Sequence, residues 1–235
     1  MSDASRTVAL ARIGRVVTDL DEISERLVFI GGAVLPLLVD IEQRFDDPRV
    51  TKDVDAISAT ASYTAQGRIE EALRRARYRH GPESHIGRFI SPTNEIFDIS
   101  FAGDHAGGTG SNVDALAIET AVTHAGPPPF RHISATGFML MKVAAYFDRG
   151  DGAPYESKDL ADLAVLLVAS PGLVKAVEAQ RSEVRTAVVA AARRLRSRLD
   201  LGEFLRSHLR DRRPILPDSP DSLAQEAVER LIALS

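Results

Sequence analysis

The sequence has no cysteine among its 235 residues. Without cysteine the chain cannot form a disulfide framework, use a cysteine nucleophile or bind zinc through thiolates. No apolar run approaches the ~20 residues that a helix needs to cross a bilayer, and residues 1–6 lack a signal-peptide pattern. We therefore expect a soluble, cytoplasmic protein with no membrane partner.

The chain also has little excess charge, with a formal net charge of −4. This value gives no general case for nucleic-acid binding, but the distribution of charge matters more than its sum. Two clusters are strongly basic. One comprises Arg74, Arg75, Arg77, Arg79 and His80, and the other comprises Arg193, Arg194, Arg196, Arg198, Arg206, Arg210, Arg212 and Arg213.

Two carboxylates stand two residues apart where the sequence predicts a β-strand. Side chains alternate along a strand, so Asp53 and Asp55 point the same way while Val54 and Ile57 can face the core. Both carboxylates can then bind one divalent cation or a pair about 4 Å apart. Taken alone, the pair is also compatible with a solvated strand end, and three further features favour the metal site.

The first feature is a Gly pair that follows a short buried strand. Residues 27–30 predict the strand, Gly31 and Gly32 follow it, and an apolar helix is predicted over residues 33–45. Backbone N–H groups at glycines and at a helix N-terminus are suited to anions. Gly-Gly is also a common turn, so its order relative to Asp53 is what favours a phosphate site.

The second feature is a strand over residues 95–100, paired in a hairpin with residues 88–90 across the turn at 91–94. Phe97 and Ile99 are predicted to face the core and Asp98 the opposite side. Asp98 is therefore a candidate third carboxylate, with Glu95 as a weaker candidate.

The third feature is a pair of predicted helices over residues 134–149 and 157–167, each opened by a serine at a plausible N-cap. Lys142 interrupts an apolar run, so its ammonium either reaches the surface or enters a polar cavity. Asp159 and Asp162 are spaced i,i+3 on one face of the second helix, where they also suit the helix dipole.

In this order, the motifs resemble the nucleotidyltransferase fold of the DNA polymerase beta type, and more closely the AbiEii/AbiGii-toxin-like nucleotidyltransferases. The resemblance covers residues 27–168. It rests on Gly31-Gly32, Arg49-x-Thr51-x-Asp53-x-Asp55, Asp98, Met141-Lys142-x-x-Ala145 and Lys158-Asp159-x-x-Asp162. It implies an α+β fold, a mixed sheet flanked by helices, with a core over 1–133 and a helical region over 134–235 that completes the active site.

The resemblance also implies residue roles. Asp53, Asp55 and Asp98 would bind Mg²⁺ or Mn²⁺, while Asp98, Lys142 and Asp159 would be catalytic. The nucleotide would be bound by Gly31, Gly32, Arg49, Lys142 and Lys158. The implied reaction transfers a nucleoside monophosphate from an NTP to an acceptor hydroxyl, releasing pyrophosphate. The expected acceptor is RNA such as tRNA, bound by the arginines near 193–198, and the expected protein partner is a cognate antitoxin.

Two departures leave the substrate open. Ala33 follows Gly32 where many enzymes of this fold have a serine beside the first glycine, and residues 40–48 read as an inserted loop. A small-molecule acceptor such as an antibiotic, and a non-catalytic nucleotide-binding partner protein, remain alternatives.

The remaining segments give coarser predictions. We predict helices over residues 8–26, 65–77, 173–199 and 222–234, and strands over 115–118 and 130–133. The Gly-rich segment 103–111 lacks the Gly-Lys-Ser/Thr ending of a P-loop, so it is interpreted as a surface or substrate-side loop.

Overall fold

A computed structural model describes residues 4–40, 44–45, 51–59, 62–81, 87–102, 112–150, 152–215 and 217–235. The chain divides into two compact units. The first unit comprises residues 1–34 and 50–133, and the second comprises residues 35–49 and 134–235. The predicted domain boundary at residue 133 assigns residues 35–49 to the core over 1–133. This boundary stays a prediction.

A seven-stranded mixed sheet forms the centre of the first unit, in the order β3-β4-β5-β2-β1-β7-β6. The strands are β1 (Leu27–Ile30), β2 (Asp53–Ser58), β3 (Arg79–His80), β4 (Arg88–Ile90), β5 (Ile96–Phe101), β6 (Val122–His124) and β7 (Phe130–His132). Its helices are α1 (Ala4–Leu20), α3 (Tyr63–Arg75) and α4 (Asn112–Glu119), and α1 is followed by a 3-10 helix over Asp21–Arg26. The predicted α+β class with a mixed sheet is confirmed.

Strands β2 and β5 run parallel, and this pairing positions the candidate site. Asp55 is the partner of Asp98 and Asp53 is the partner of Ile96. Phe97 and Ile99 are buried, as predicted, because alternate residues of β5 face the apolar side. Strand β4 pairs antiparallel with β5 and places Arg88 beside Asp98, which confirms the predicted hairpin.

The second unit is helical. It contains α2 (Leu35–Leu38), α5 (Ala135–Ala145), α6 (Lys158–Ala169), α7 (Leu173–Glu178), α8 (Ser182–Arg196), α9 (Leu201–Arg210) and α10 (Pro220–Ala233). Helix α5 continues as a π-helical turn over Tyr146–Gly150, and a 3-10 turn spans Pro154–Glu156. Helix α6 is the core of this unit. It is buried on nearly every side and packs against α5, α9 and α10.

Three predicted elements differ from the structure. The helix predicted over 8–26 ends at Leu20, because Asp21 adopts a left-handed conformation with φ of 49°. Of the helix predicted over 33–45, only Leu35–Leu38 is helical, and residues 41–43 lie outside the described part. The strand predicted over 115–118 is wrong, since this stretch belongs to α4. A short apolar run does not by itself distinguish a strand from a helix.

A fourth difference is that the helix predicted over 173–199 is divided into α7, which ends at Glu178, and α8, which begins at Ser182. The other predicted strand is confirmed by β7, and the helical character of the C-terminal region by α7 to α10. The predicted loop over 103–111 lies outside the described residues. None of the described helices combines the length and apolarity that a bilayer-spanning segment requires.

Both predicted serine caps are present. Ser134 accepts a hydrogen bond from Gly137 N at the start of α5, and Ser157 accepts one from Leu160 N at the start of α6, each at 3.2 Å. Ser157 is buried, so its loss would leave a helix N–H without a partner in the protein interior.

We expect Ser157→Ala to lower the free energy of unfolding by about 1 kcal/mol because the N-cap bond is lost. Urea denaturation followed by circular dichroism measures this change. Ser182→Ala is the matched control, since Ser182 is exposed at the first residue of α8 and its hydroxyl bonds, among the described residues, only Glu183. Equal effects of both substitutions would contradict a specific role for the Ser157 cap.

Candidate active site

Three carboxylates converge on one face of the sheet in the first unit. One oxygen from each of Asp53, Asp55 and Asp98 lies within 4.8 Å of the other two. The first two come from alternate positions of β2 and the third from the adjacent position of β5, so strand pairing alone brings them together. Three carboxylate oxygens form a hard ligand set that suits Mg²⁺ or Mn²⁺.

Asp53 is oriented by its own strand and by helix α1. The hydroxyl of Thr51 donates to Asp53 Oδ1. Arg12 donates to the backbone carbonyls of Thr51 and Lys52, and also to Glu95 just before β5. A single α1 side chain therefore connects the beginnings of the two strands that carry the carboxylates.

Glu95, the weaker ligand candidate, forms ion pairs with two arginines of α1. Arg15 donates to both of its carboxylate oxygens and Arg12 to one of them. The hydrogen bond from Arg15 lowers the pKa of Glu95 against the opposing effect of burial. Glu95 therefore acts in an ion-pair cluster that fixes α1 to the sheet, and it is not one of the three clustered carboxylates.

Arg88 holds Asp98 by a two-point contact. Its Nε and Nη2 atoms donate to Oδ1 and Oδ2 of Asp98 at 2.8 and 2.7 Å. A carboxylate has about four lone-pair positions, so this contact orients Asp98 while leaving positions for other ligands. Arg88 was not among the predicted site residues. The predicted hairpin contained the signal, because its register sets Arg88 opposite Asp98.

Gly31 makes room for Asp55. The residue has φ of +72°, and a Cβ built there would lie 2.8 Å from Asp55 Cγ and closer still to one of its oxygens. Gly32 is less constrained, since its Cβ would meet Thr51 Cβ at 3.3 Å. The predicted contact of these glycines with phosphate stays a prediction. The helix after them, α2, spans one turn, so its N-terminus adds little to an anion site.

The second unit contains a separate buried ion cluster. Lys142 Nζ lies 2.9 Å from Asp159 Oδ1 and 2.8 Å from Asp162 Oδ2. Burial lowers the pKa of Lys142, but the two carboxylates outweigh it and leave the pKa above its ordinary value. The ammonium is thus directed into a polar cluster and not to the surface. Asp162, predicted only to share a helix face with Asp159, is a full member of this cluster.

Arg149 and Arg212 complete this cluster, and neither was predicted. Arg149 donates to both oxygens of Asp159 from the π-helical turn, and Arg212 Nη2 lies 3.9 Å from Asp162 Oδ1. The side chain of Arg149 is 69% exposed and that of Arg212 only 8%. Arg149 therefore combines a contact to a buried carboxylate with access to solvent.

Among the described residues, Lys158 is a predicted nucleotide-binding residue that takes part in neither cluster. Lys158 is exposed and makes no ion pair with another described residue, although Asp159 beside it is buried. Arg49 lies outside the described residues. Their roles stay predictions.

Comparison with known proteins identifies the family. The model of the family described as nucleotidyl transferase AbiEii toxin, type IV TA system, matches residues 15–231. Among solved structures, the crystal structure of JHP933 from Helicobacter pylori is similar, with 14% identity and a TM-score of 0.47 over 100% of this chain and 93% of that chain. A search of the curated proteins finds no match.

We expect Gly31→Ala to weaken Mn²⁺ binding at least ten-fold, because the new methyl group displaces the Asp55 carboxylate and the left-handed backbone is strained. Isothermal titration of the purified protein measures the affinity. Gly32→Ala is the control, because its new methyl group meets only the side chain of Thr51, and a shift of a few tenths of an ångström relieves that contact. Unchanged Mn²⁺ binding in Gly31→Ala would contradict a metal site that uses Asp55.

The buried cluster predicts a pH dependence of stability. Burial raises the pKa of Asp159, but Lys142 and Arg149 outweigh it and hold the pKa below the ordinary value of 3.8. The ionised carboxylate therefore stabilises the fold above pH 3.8, and this contribution is lost as the pH falls through the lower, folded-state pKa.

Urea unfolding at several pH values between 7 and 2 measures this dependence. We expect Asp159→Asn to be less stable than wild type at pH 7 and to lose less stability on acidification. Parallel curves for the two proteins would show that Asp159 contributes nothing to the acid sensitivity.

Proposed function

The chain belongs to the family of AbiEii nucleotidyl transferase toxins of type IV toxin–antitoxin systems, and from this we propose that it transfers a nucleoside monophosphate from an NTP to a hydroxyl of RNA. The observation that carries the proposal is the convergence of Asp53, Asp55 and Asp98 on one sheet face. Three carboxylates this close are most readily tolerated beside a compensating cation.

In this proposal the three aspartates hold divalent ions, Mg²⁺ or Mn²⁺. When bound, such ions supply positive charge that polarises the α-phosphate and stabilises the leaving pyrophosphate. The donor set supports this assignment, since all three ligands are carboxylate oxygens and two of the residues are already oriented by Thr51 and Arg88.

The protein's own residues have separate tasks. The backbone amides of Gly31 and Gly32 bind phosphate oxygens, and Asp98 accepts the proton of the attacking hydroxyl. The hydroxyl oxygen then forms the new bond to the α-phosphorus while the bond to pyrophosphate breaks. Arg88 keeps the carboxylate of Asp98 in one orientation throughout, which favours a defined angle of attack.

The assignment of Lys142, Lys158 and Asp159 rests on the family motif. In the proposal Lys142 neutralises charge that develops on the phosphates, and Asp159 with Asp162 keeps it protonated and oriented. The raised pKa of Lys142 supports this role, because a permanently charged ammonium is what a polyphosphate requires. Lys158 would contact the nucleotide from its exposed position before Asp159.

A cognate antitoxin is the proposed protein partner, because the family belongs to type IV toxin–antitoxin systems. RNA, with tRNA as the first candidate, is the proposed acceptor, and this part of the proposal rests on the resemblance of the sequence motifs. The location proposed for the reaction is the cytoplasm.

The test incubates purified protein with each α-labelled NTP, Mg²⁺ and total RNA. We expect label in a small-RNA band, reduced at least a hundred-fold by Asp55→Ala, Asp98→Asn or Lys142→Ala, since each substitution removes a charge on which the transition state depends. Asp200→Asn is the control, because Asp200 is exposed before α9 and forms no side-chain cap. Label confined to a low-mass product would instead favour a small-molecule acceptor such as an antibiotic.

Titration of the NTP with and without Mg²⁺ separates an enzyme from a binding module. We expect affinity to depend on Mg²⁺ in the wild type and to lose that dependence in Asp55→Ala. If the NTP affinity of the wild type does not depend on Mg²⁺, a non-catalytic partner protein would be favoured.

A further inference from the structure

Strand pairing restrains the three clustered aspartates unequally. Asp55 is paired on both sides, with Ile30 of β1 and with Asp98 of β5. Asp98 is also paired on both sides, since its second neighbour is Arg88 of β4. Among the described strands, Asp53 at the start of β2 has a neighbour only in β5, because the register of β1 with β2 ends at Asp55. Asp53 is therefore the ligand candidate that the sheet holds least firmly, as is typical of strand ends.

Arg12 of α1 restrains the backbone directly before Asp53. Its Nη1 donates to the carbonyl of Thr51 and its Nη2 to the carbonyl of Lys52, while its Nε donates to Glu95 at 3.2 Å. All three guanidinium nitrogens are thus used, on acceptors that directly precede two neighbouring strands. Because a guanidinium presents its N–H groups in a rigid plane, these contacts fix the start of β2 relative to the start of β5.

Thr51 transmits this restraint to the carboxylate. Its hydroxyl donates to Asp53 Oδ1. The Thr51 backbone, which Arg12 holds, therefore determines where that oxygen lies. Hydrogen bonds to a ligand residue keep its donor atoms in place, and the loss of one typically weakens metal binding by about 10- to 100-fold.

Helix α1 is a firm support for Arg12. Ile13 and Val16 are buried on the inner side of the helix, and Asp19 accepts a hydrogen bond from the hydroxyl of the buried Tyr78 at 2.9 Å. The side chain of Arg12 is only 14% exposed, so little water competes for its N–H groups. Its hydrogen bonds are correspondingly stronger than those of an exposed arginine.

Arg15, one helical turn further along α1, provides an internal comparison. It also donates to Glu95, at 2.8 Å from Nε, but its side chain is 49% exposed. Its hydrogen bonds to described residues all go to Glu95. The two arginines therefore share the helix, the charge and one partner, and they differ in the contacts of Arg12 with Thr51 and Lys52.

From these contacts we infer that Arg12 is the positioning residue of Asp53 and thereby sets the affinity of the carboxylate cluster for a divalent ion. The inference rests on the proposed function, in which the cluster binds Mg²⁺ or Mn²⁺. Arg12 acts on the backbone and not on the ion. It limits the movement of Asp53, so that less conformational freedom is lost when the ion binds. The effect of Arg12 must then depend on Thr51, which orients Asp53, and not on Arg88, which orients Asp98.

A double-mutant cycle tests this dependence, with isothermal titration of Mn²⁺ into the full-length protein as the measurement. We expect Arg12→Gln to weaken Mn²⁺ binding about ten-fold in the wild type, and by less than about two-fold in a protein that already carries Thr51→Val. In a protein that carries Arg88→Gln, Arg12→Gln should keep its full effect, because the two arginines hold different carboxylates. All these variants retain the three aspartates, so their Mn²⁺ affinities can be compared directly.

Arg15→Gln is the matched control, and it should leave the Mn²⁺ affinity unchanged. Arg12→Lys separates geometry from charge, because an ammonium group cannot reproduce a planar set of three donors. We expect it to weaken Mn²⁺ binding as Arg12→Gln does. Circular dichroism and thermal unfolding establish that each variant is folded. If Arg12→Gln does not fold, Arg12→Lys takes its place in the cycle.

Three results would overturn the inference: wild-type Mn²⁺ affinity in Arg12→Lys, equal losses in Arg12→Gln and Arg15→Gln, or independent effects of Arg12→Gln and Thr51→Val. The proposed reaction fails separately. If the Mn²⁺ affinities follow the expected pattern but the wild type transfers no label from any NTP, the inference stands and the reaction is wrong. A folded wild type that binds no Mn²⁺ would overturn both.

Discussion

Repulsion among the carboxylates of Asp53, Asp55 and Asp98 is the interaction that the rest of the first unit must offset. At separations below 4.8 Å, each pair of ionised groups repels by on the order of 3 kcal/mol at an effective dielectric constant of about 20. The parallel register of β2 and β5 forces this proximity, because Asp55 and Asp98 are strand partners. The surrounding residues either orient the carboxylates or make space for them.

Each neighbour of the cluster has a distinct physical task. Arg88 neutralises and orients Asp98, Thr51 orients Asp53, and Gly31 admits Asp55 by having no Cβ. Arg12 acts one step further away by holding the backbone before β2 and Glu95 before β5. A site assembled from two strands thus depends on a helix residue more than 30 positions upstream of its first ligand.

In the second unit, buried charges are paired with one another. Lys142 lies between Asp159 and Asp162, and Arg149 and Arg212 add further positive groups at the two carboxylates. Buried charges are costly unless they are paired, and here both buried carboxylates of α6 have cationic partners. Helix α6 can contribute two aspartates to a hydrophobic interior only because α5 supplies the lysine that compensates them.

Much of this arrangement was predictable from local pattern. The strand alternation around Asp53 and Phe97, the hairpin that joins β4 to β5 and the serine caps of α5 and α6 all follow from residue types at short spacing. The segment 115–118 shows the limit of such patterns, since its apolar run was assigned to a strand and forms a helix. Short apolar runs lack the length over which the two periodicities separate.

The sequence by itself determined the identity and order of the acidic and glycine motifs, because strand alternation and helix spacing act over a few residues. Only the tertiary structure decided which arginines serve them. Arg12 bonds the backbone of Thr51 from 39 positions away in the chain, and the arginines of α8 contact Ser235 and Phe147. Arg88 is the exception, because the predicted hairpin sets it opposite Asp98. A long flexible side chain can reach many neighbours, so its partner is set by packing and not by its position in the chain.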